Sequence, residues 1–179
     1  MRDLFLSDLS DVHHLLTRPE TDKYNTLGSP ETIQRTECLM TEWIMAQTEQ
    51  PRSLFVFSLE NRNNGHWMGL IGLQLRELKL RSAEVWFKIL PENWGDGFAT
   101  ESLNRTLTFA FIELNLHRVE AGCATGNIAS ARVLEKAGMK REGCKRKILP
   151  IRGEWIDAYS YAILEEDFKN SKAEQWPAH

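Results

Sequence analysis

Apolar side chains recur at helical spacing in four stretches of the chain. In the first stretch, over 7–18, they share one face of a predicted helix. The second helix is predicted to begin at Ser29-Pro30-Glu31, where a capping hydroxyl precedes a proline and an acid. The third covers 98–114. The fourth begins after Asn127, a capping residue, and ends at Gly138, which suits the left-handed position just past a helix.

Short apolar and alternating stretches predict strands between and after these helices. Three strands follow one another closely and are expected to pair antiparallel, and the next is reached by a strand–helix–strand crossover around the third helix. The predicted strands are 53–59, 67–75, 83–90, 118–124, 145–149 and 155–163. This order predicts one α+β domain over residues 1–168, with a mixed, mostly antiparallel sheet and a central β-α-β crossover, and a polar tail over 169–179.

Composition and charge exclude several classes of protein. The chain has 179 residues and a net charge of -3, so it lacks the positive field of a sequence-independent nucleic-acid binder. It has no apolar run of about 18 residues and no N-terminal signal pattern, so we expect a cytoplasmic protein with no membrane partner. The three cysteines are widely spaced and form neither a disulfide framework nor a zinc pattern, so we expect reduced thiols and no metal site.

A glycine-rich turn between a predicted strand and a predicted helix is the strongest chemical signal. Gly95 and Gly97 flank one residue, and the helix begins directly afterwards. Free backbone N–H groups at the positive end of a helix bind anionic phosphates, and glycine lets the phosphate approach closely. A plain tight turn is the alternative. A dinucleotide fingerprint fits poorly, because Thr100 occupies its third glycine position and only one crossover unit is present.

A second polar signal lies at the start of the fourth helix. Asn127 and Ser130 either cap that helix or face a cleft beside the glycine turn. Together, the segments Trp-Gly-Asp-Gly-Phe-Ala-Thr-Glu, Leu-His-Arg-Val-Glu-Ala and Asn-Ile-Ala-Ser-Ala-Arg-Val-Leu-Glu-Lys-Ala-Gly-Met resemble the GNAT superfamily of acetyl-CoA-dependent N-acetyltransferases. Within it they are most similar to the branch of ribosomal-protein N-terminal acetyltransferases of the RimJ/RimL type.

The resemblance implies a V-shaped cleft between two splayed strands, here 83–90 and 118–124, which binds acetyl-CoA. Backbone groups of the first strand would bind pantetheine, and N–H groups of the glycine turn would bind the pyrophosphate. Trp94 replaces the basic or amide residue of the family loop. Arg132 would reach the adenosine end, unless it lies on a solvated helix face. The implied cofactor-binding residues are Phe87, Lys88, Ile89, Leu90, Gly95, Asp96, Gly97, Phe98, Ala99, Thr100, Asn127, Ser130 and Arg132.

The resemblance also implies direct acetyl transfer to an amine. Ser130 is our choice of acid for the leaving thiolate, with Tyr159 or Tyr161 as alternatives and Asn127 near the thioester. The candidates for the base are Glu84 and Asp157, each of which has a structural alternative. The glutamate expected in RimL-type relatives aligns with Leu149, so that role does not transfer.

The absence of that glutamate favours an acceptor amine that is already partly neutral. A peptide α-amine has a pKa of about 8, whereas a lysine amine lies near 10.4. The predicted acceptor is therefore a protein or peptide N-terminus. A small amine, such as an antibiotic, a polyamine or an amino-acid derivative, is the alternative, and a non-catalytic acyl-CoA-binding module is the competing class. The exposed edge of the last hairpin is compatible with a homodimer.

Overall fold

A seven-stranded sheet forms the centre of the molecule, seen in a computed structural model. The structure describes the backbone of residues 1–26 and 28–175, and side chains as far as Asn170. The strands stand in the order β1-β2-β3-β4-β5-β7-β6. They are β1 (Arg2–Asp3), β2 (Leu54–Glu60), β3 (Trp67–Leu75), β4 (Ser82–Ile89), β5 (Arg118–Ala124), β6 (Lys140–Ile151) and β7 (Glu154–Leu164).

Helices cover both faces of this sheet and bury two separate apolar clusters. The helices are α1 (Leu9–Thr17), α2 (Pro19–Asp22), α3 (Ile33–Met45), α4 (Phe98–Thr108), α5 (Ile128–Lys136) and α6 (Glu165–Gln175). On one face, α1 and α3 pack over a cluster that includes Leu15, Met40 and Leu70. On the other face, α4 and α5 pack over a larger cluster that includes Leu103 and Leu134. None of the helices in the described ranges has the length and apolarity that a membrane span needs.

The predicted V-shaped opening is present in the sheet. All neighbouring strands are antiparallel except β4 and β5, which run parallel. These two strands pair only where Ser82–Glu84 meets Arg118–Glu120, and beyond that point they separate. The predicted α+β class, mixed sheet and central crossover are therefore confirmed.

The second long helix begins later than predicted. The structure starts α3 at Ile33 and not at Ser29-Pro30-Glu31. Thr32 is its N-cap, in extended conformation, and its hydroxyl accepts a hydrogen bond from the N–H of Arg35 at 3.3 Å. Because the cap is Thr32, Pro30 and Glu31 lie in the connection before the helix and not in its first turn.

The C-terminal elements are longer than the sequence predicted. Strand β6 begins at Lys140, whereas the sequence predicted a start at residue 145. Its first half is polar and lies exposed at the sheet edge, so no apolar alternation marks it as a strand in the sequence. Helix α6 runs through residue 175 and so includes most of the predicted tail over 169–179. Residues 176–179 lie outside the described part of the chain, and the division at residue 168 stays a prediction.

Candidate functional site

A cleft of about 750 Å³ opens where β4 and β5 separate. Its walls come from the end of β4, the glycine turn, the first turns of α4 and α5, and the segment 20–24. Most of the predicted cofactor-binding residues meet here. Those that line the cleft are Phe87, Lys88, Ile89, Gly95, Gly97, Phe98, Ala99, Thr100, Asn127, Ser130 and Arg132.

The glycine turn presents the N-terminus of α4 to the cleft. Gly95 and Gly97 both have positive φ, 92° and 86°, which only glycine adopts readily. Gly97 is the N-cap of α4, and no side chain caps that end. A Cβ built on Gly97 would have no heavy atom within 4 Å. Free N–H groups, a positive helix end and open space in front of them fit an anionic pyrophosphate. Asp96, also predicted to bind, does not line the cleft.

The backbone of β4 offers hydrogen-bonding groups along one edge. On its other edge β4 pairs with β3 as far as Ile89, but within the described residues its pairing with β5 ends at Glu84. The groups beyond Glu84 that face β5 fit the amides of pantetheine. One of these groups is already used, since the Trp94 indole donates to the carbonyl of Ile89 at 2.7 Å. On the edge that faces β3, the N–H of Leu90 donates to the carbonyl of Met68 at 2.8 Å. Leu90 does not line the cleft, and its role in cofactor binding stays a prediction.

The start of α5 forms the opposite wall. Asn127 caps the helix, and its Oδ1 accepts a hydrogen bond from the N–H of Ser130 at 3.1 Å. Ser130 is half-buried, and Arg132 and Lys136 bring positive charge to the same wall one and two turns on. The capping and the cleft-facing interpretations of Asn127 and Ser130 are therefore both correct.

The structure does not bring Glu84 into the cleft. This residue lies at the closed end of the V, where it pairs with Glu120 of β5. Its carboxylate accepts a long hydrogen bond of 3.5 Å from Arg76. Because the strands separate only after this position, Glu84 lies outside the cleft lining.

Asp157 and Tyr161 also lie outside the cleft lining. The Oδ1 of Asp157 accepts a hydrogen bond from the N–H of Lys147 at 2.9 Å and holds an irregular part of the β6–β7 pairing. Tyr161 is 1% exposed, and its hydroxyl donates to Oε1 of Glu135 at 2.9 Å. Burial, with the neighbouring Glu135 carboxylate, raises the pKa of Tyr161 to about 12. The alternative acid Tyr159 carries the Arg141 guanidinium over its ring at 4.7 Å.

A segment that crosses the mouth of the cleft, residues 20–26, which we call the strap, overlaps the loop over 23–30, one of the segments that the sequence suggests for substrate choice, but none of its residues was predicted as a site residue. From it the Tyr24 hydroxyl donates to the carbonyl of Gly126, beyond β5, at 2.7 Å. Asn25 Oδ1 accepts from Nζ of Lys88, on β4, at 2.8 Å. The strap thus contacts both sides of the V. An aromatic residue in an otherwise polar connection is the one sequence signal that could have pointed to it.

Lys88 is the most perturbed titratable group in the cleft. Burial lowers its pKa to about 8, and the charge of Asp22 on α2 opposes this shift only in part. Asp22 itself is bound by Arg152 of the β6–β7 turn at 3.0 Å. Within the described residues, no carboxylate lies within 4.0 Å of Lys88. The cleft therefore holds a half-buried ammonium whose hydrogen-bond partner, Asn25, is neutral.

Comparison with known proteins matches residues 1–140 to the acetyltransferase (GNAT) domain. The chain belongs to the GNAT acetyltransferase family. A spermidine N(1)-acetyltransferase of Vibrio cholerae serotype O1 is 30% identical over 173 residues, covering 95% of each chain. A putative ribosomal N-acetyltransferase of Bacillus subtilis is 33% identical over 109 residues, 61% of this chain and 60% of its own.

Solved structures extend the similarity to the whole fold. The Vibrio cholerae spermidine N-acetyltransferase in complex with CoA and spermine has a TM-score of 0.83 and 28% identity, with 94% of this chain and 96% of that chain covered. This GNAT protein is thus an acetyl-CoA-dependent N-acetyltransferase, and the glycine turn, the β4 edge and the α5 wall fit that cosubstrate. In the described residues, no three His, Cys, Asp or Glu side chains are grouped to hold a metal ion.

Proposed function

We propose that the acceptor is a small primary amine. The observation that carries this proposal is the strap, which contacts β4 through Asn25 and the β5–α5 loop through Tyr24. A bridge across the mouth of the cleft narrows the approach to a thioester lying between the strands. A small amine passes under such a bridge more readily than the N-terminus of a folded protein. This order is the reverse of the one predicted from the sequence, in which a protein or peptide N-terminus came first.

The names of the relatives support the same choice. The relative that covers 95% of this chain is named for spermidine, a small amine. The relative named for ribosomal acetylation covers 61% of it. The membership of a RimJ/RimL-like branch therefore has the weaker support.

The chain's own residues supply position and a proton donor. Bound acetyl-CoA contributes an acetyl group activated as a thioester. Backbone groups of β4 beyond Glu84 orient the carbonyl and stabilise negative charge on its oxygen. Ser130, half-buried on the α5 wall, donates a hydrogen bond to the departing sulfur, which needs little acid because a thiol has a pKa of about 8.5.

Neither carboxylate that was predicted as the general base is placed to take the proton from the amine. Glu84 and Asp157 bind elsewhere, and among the described lining residues the one carboxylate is that of Glu20, on the exposed side of the strap. An acceptor with a depressed amine pKa, partly neutral at neutral pH, needs less help. This favours amines with electron-withdrawing neighbours.

Turnover of acceptors of increasing size tests the proposal. Single amines, dipeptides and an intact small ribosomal protein would be compared by following the release of free thiol from acetyl-CoA. We expect turnover of small amines, and we expect Tyr24→Phe, which removes the Tyr24–Gly126 hydrogen bond, to improve kcat/KM for larger acceptors by about fivefold or more.

Two results would redirect the proposal. Efficient acetylation of the intact protein alone would restore the N-terminal acceptor. Binding of acetyl-CoA without turnover of any amine would favour the acyl-CoA-binding module. The matched control is Tyr159→Phe, which removes a hydroxyl outside the cleft lining and should leave acceptor selectivity unchanged.

A further inference from the structure

The cleft lining contains two hydrogen-bond donors with unmet capacity. The first is the ammonium of Lys88, which has three N–H donors and donates one hydrogen bond to the neutral Oδ1 of Asn25, at 2.8 Å. The second is the hydroxyl of Thr21, on α2 and in the cleft lining, whose oxygen is buried without a hydrogen-bond partner among the described residues.

Lys88 faces the acceptor side and not the phosphate side of the cleft. Side chains alternate along a strand, and Phe87 packs on the face of the sheet covered by α4 and α5. Lys88 therefore points to the opposite face, where its Nζ meets the strap. The glycine turn leads into α4, so the two sites lie on different sides of β4.

The acidic side chains around this half are already paired. Asp22 binds Arg152 at 3.0 Å, Glu92 binds Arg18 at 3.2 Å, and Glu20 lies 3.5 Å from the same Arg18. A polyamine entering here would meet Lys88 and the exposed Lys23, which is also a cleft-lining residue. The charges of this half are thus complementary to an anionic group and not to a second ammonium.

We propose that the acceptor carries a carboxylate, which is bound by Nζ of Lys88 and Oγ1 of Thr21 while the amine of the same molecule faces the thioester. An ionised carboxylate only accepts hydrogen bonds, so it matches two donors and supplies the missing counter-charge. The substrate class is that of amino acids and short peptides with a free carboxylate. This inference rests on the proposed small-amine function and separates this chain from its relatives named for spermidine.

Matched acceptor pairs that differ only in the carboxylate test it by turnover. L-Phenylalanine and phenethylamine form one pair, L-methionine and 3-(methylthio)propylamine a second, and spermidine is the polycation. We expect kcat/KM to favour the acids by about 10- to 100-fold, as for a hydrogen bond to a charged group. Lys88→Met should bring this ratio close to one, and Thr21→Val should reduce it by about fivefold, with the Kd for acetyl-CoA unchanged in both.

Binding of the product decides the question without turnover. N-Acetyl-L-phenylalanine and N-acetylphenethylamine would each be titrated calorimetrically into the CoA-loaded protein. The acid should bind at least about tenfold more tightly, and this difference should disappear in Lys88→Met. Lys79→Met is the control, since Lys79 pairs with Glu77 outside the cleft lining and its loss removes the same charge.

The outcomes separate this inference from the proposed function. Preference for phenethylamine or spermidine, or a preference for acids that survives both substitutions, overturns the carboxylate site. If Lys88→Met binds acetyl-CoA more weakly and keeps the acceptor preference, Lys88 serves the cosubstrate, and the carboxylate site is again overturned. Lys88-dependent binding of the acid without acetylation of any amine overturns the small-amine function and leaves the anion site. Thr21→Val gives the same reading if Lys88→Met does not fold.

Discussion

At the scale of single residues, the backbone and the side chain of Ser130 have different roles. Its backbone N–H is bound by Asn127 Oδ1, whereas its hydroxyl belongs to the side chain that lines the cleft. Ser130→Ala therefore keeps the cap and removes only the proton donor. We expect kcat to fall about 100-fold with the Kd for acetyl-CoA unchanged, measured by steady-state kinetics and calorimetry.

The control for this substitution is Asn127→Ala. It removes the cap and should lower the free energy of unfolding by about 1 kcal/mol. An unchanged kcat in Ser130→Ala would remove Ser130 from the acid role, which would then fall to water or to the substrate.

Gly97 permits a second test, in which backbone strain is matched between two sites. Gly97 and Gly65 both have positive φ, 86° and 71°, and a Cβ on either would have no heavy atom within 4 Å. Alanine at each position should therefore cost a similar free energy of unfolding, about 1 kcal/mol. Only Gly97 lines the cleft, so only Gly97→Ala should weaken acetyl-CoA binding, by about tenfold in calorimetry. Equal Kd values for the two variants would show that the turn does not hold the pyrophosphate.

At the scale of elements, one buried carboxylate joins the N-terminal strand to the sheet and to α1. Asp8 is 4% exposed and accepts hydrogen bonds from both terminal nitrogens of Arg2, at 2.7 and 2.8 Å. It also accepts from the hydroxyl of Ser58 at 2.7 Å and from the N–H of Phe5 at 3.1 Å. Burial alone would raise the pKa of Asp8, but the hydrogen bonds from Arg2, Phe5 and Ser58 outweigh it and hold the pKa below its usual 3.8.

A pH dependence of stability follows from this depressed pKa. The unfolded chain binds a proton at Asp8 more readily than the folded chain does, so the contribution is present above pH of about 4 and is lost as the pH falls through the folded pKa. Asp8→Asn should cost roughly 3 kcal/mol at pH 7 and much less at a pH below the folded pKa of Asp8, measured by urea unfolding. The exposed Asp11, one turn along α1, is the control, and Asp11→Asn should change little at either pH. An Asp8→Asn cost that is the same at both pH values would contradict this account.

Elements differ in how far the sequence could predict them. The bounds of β3 and β5 match the prediction, because β3 is largely buried and almost wholly apolar, and β5 alternates buried apolar positions with more exposed ones. The polar first half of β6 carries no such signal. The third predicted helix ends in a π-helical turn, Phe109–Glu113, in which Phe109 meets Phe55 edge-on at 5.2 Å. The π-helical turn thus coincides with a tertiary contact, and the helical periodicity of the sequence cannot predict such a contact.

At the scale of the whole molecule, the features of the site also differ in how far the sequence could predict them. The glycine turn was predictable because conformation, helix start and anion binding all depend on adjacent residues. The placement of Glu84 was not, because it depends on where β4 and β5 stop pairing. Thr21 and Tyr24 reach the cleft from a segment more than 60 positions before Lys88, so no local pattern relates them.

The position of β7 between β5 and β6 has a consequence for how the protein is made. β5 pairs with β4 only over Arg118–Glu120, but with β7 along its whole length. On the ribosome, one wall of the cleft therefore emerges long before the strand that supports it. Until residues 154–164 leave the exit tunnel, the edge of β5 that β7 covers in the folded protein is open to unwanted pairing.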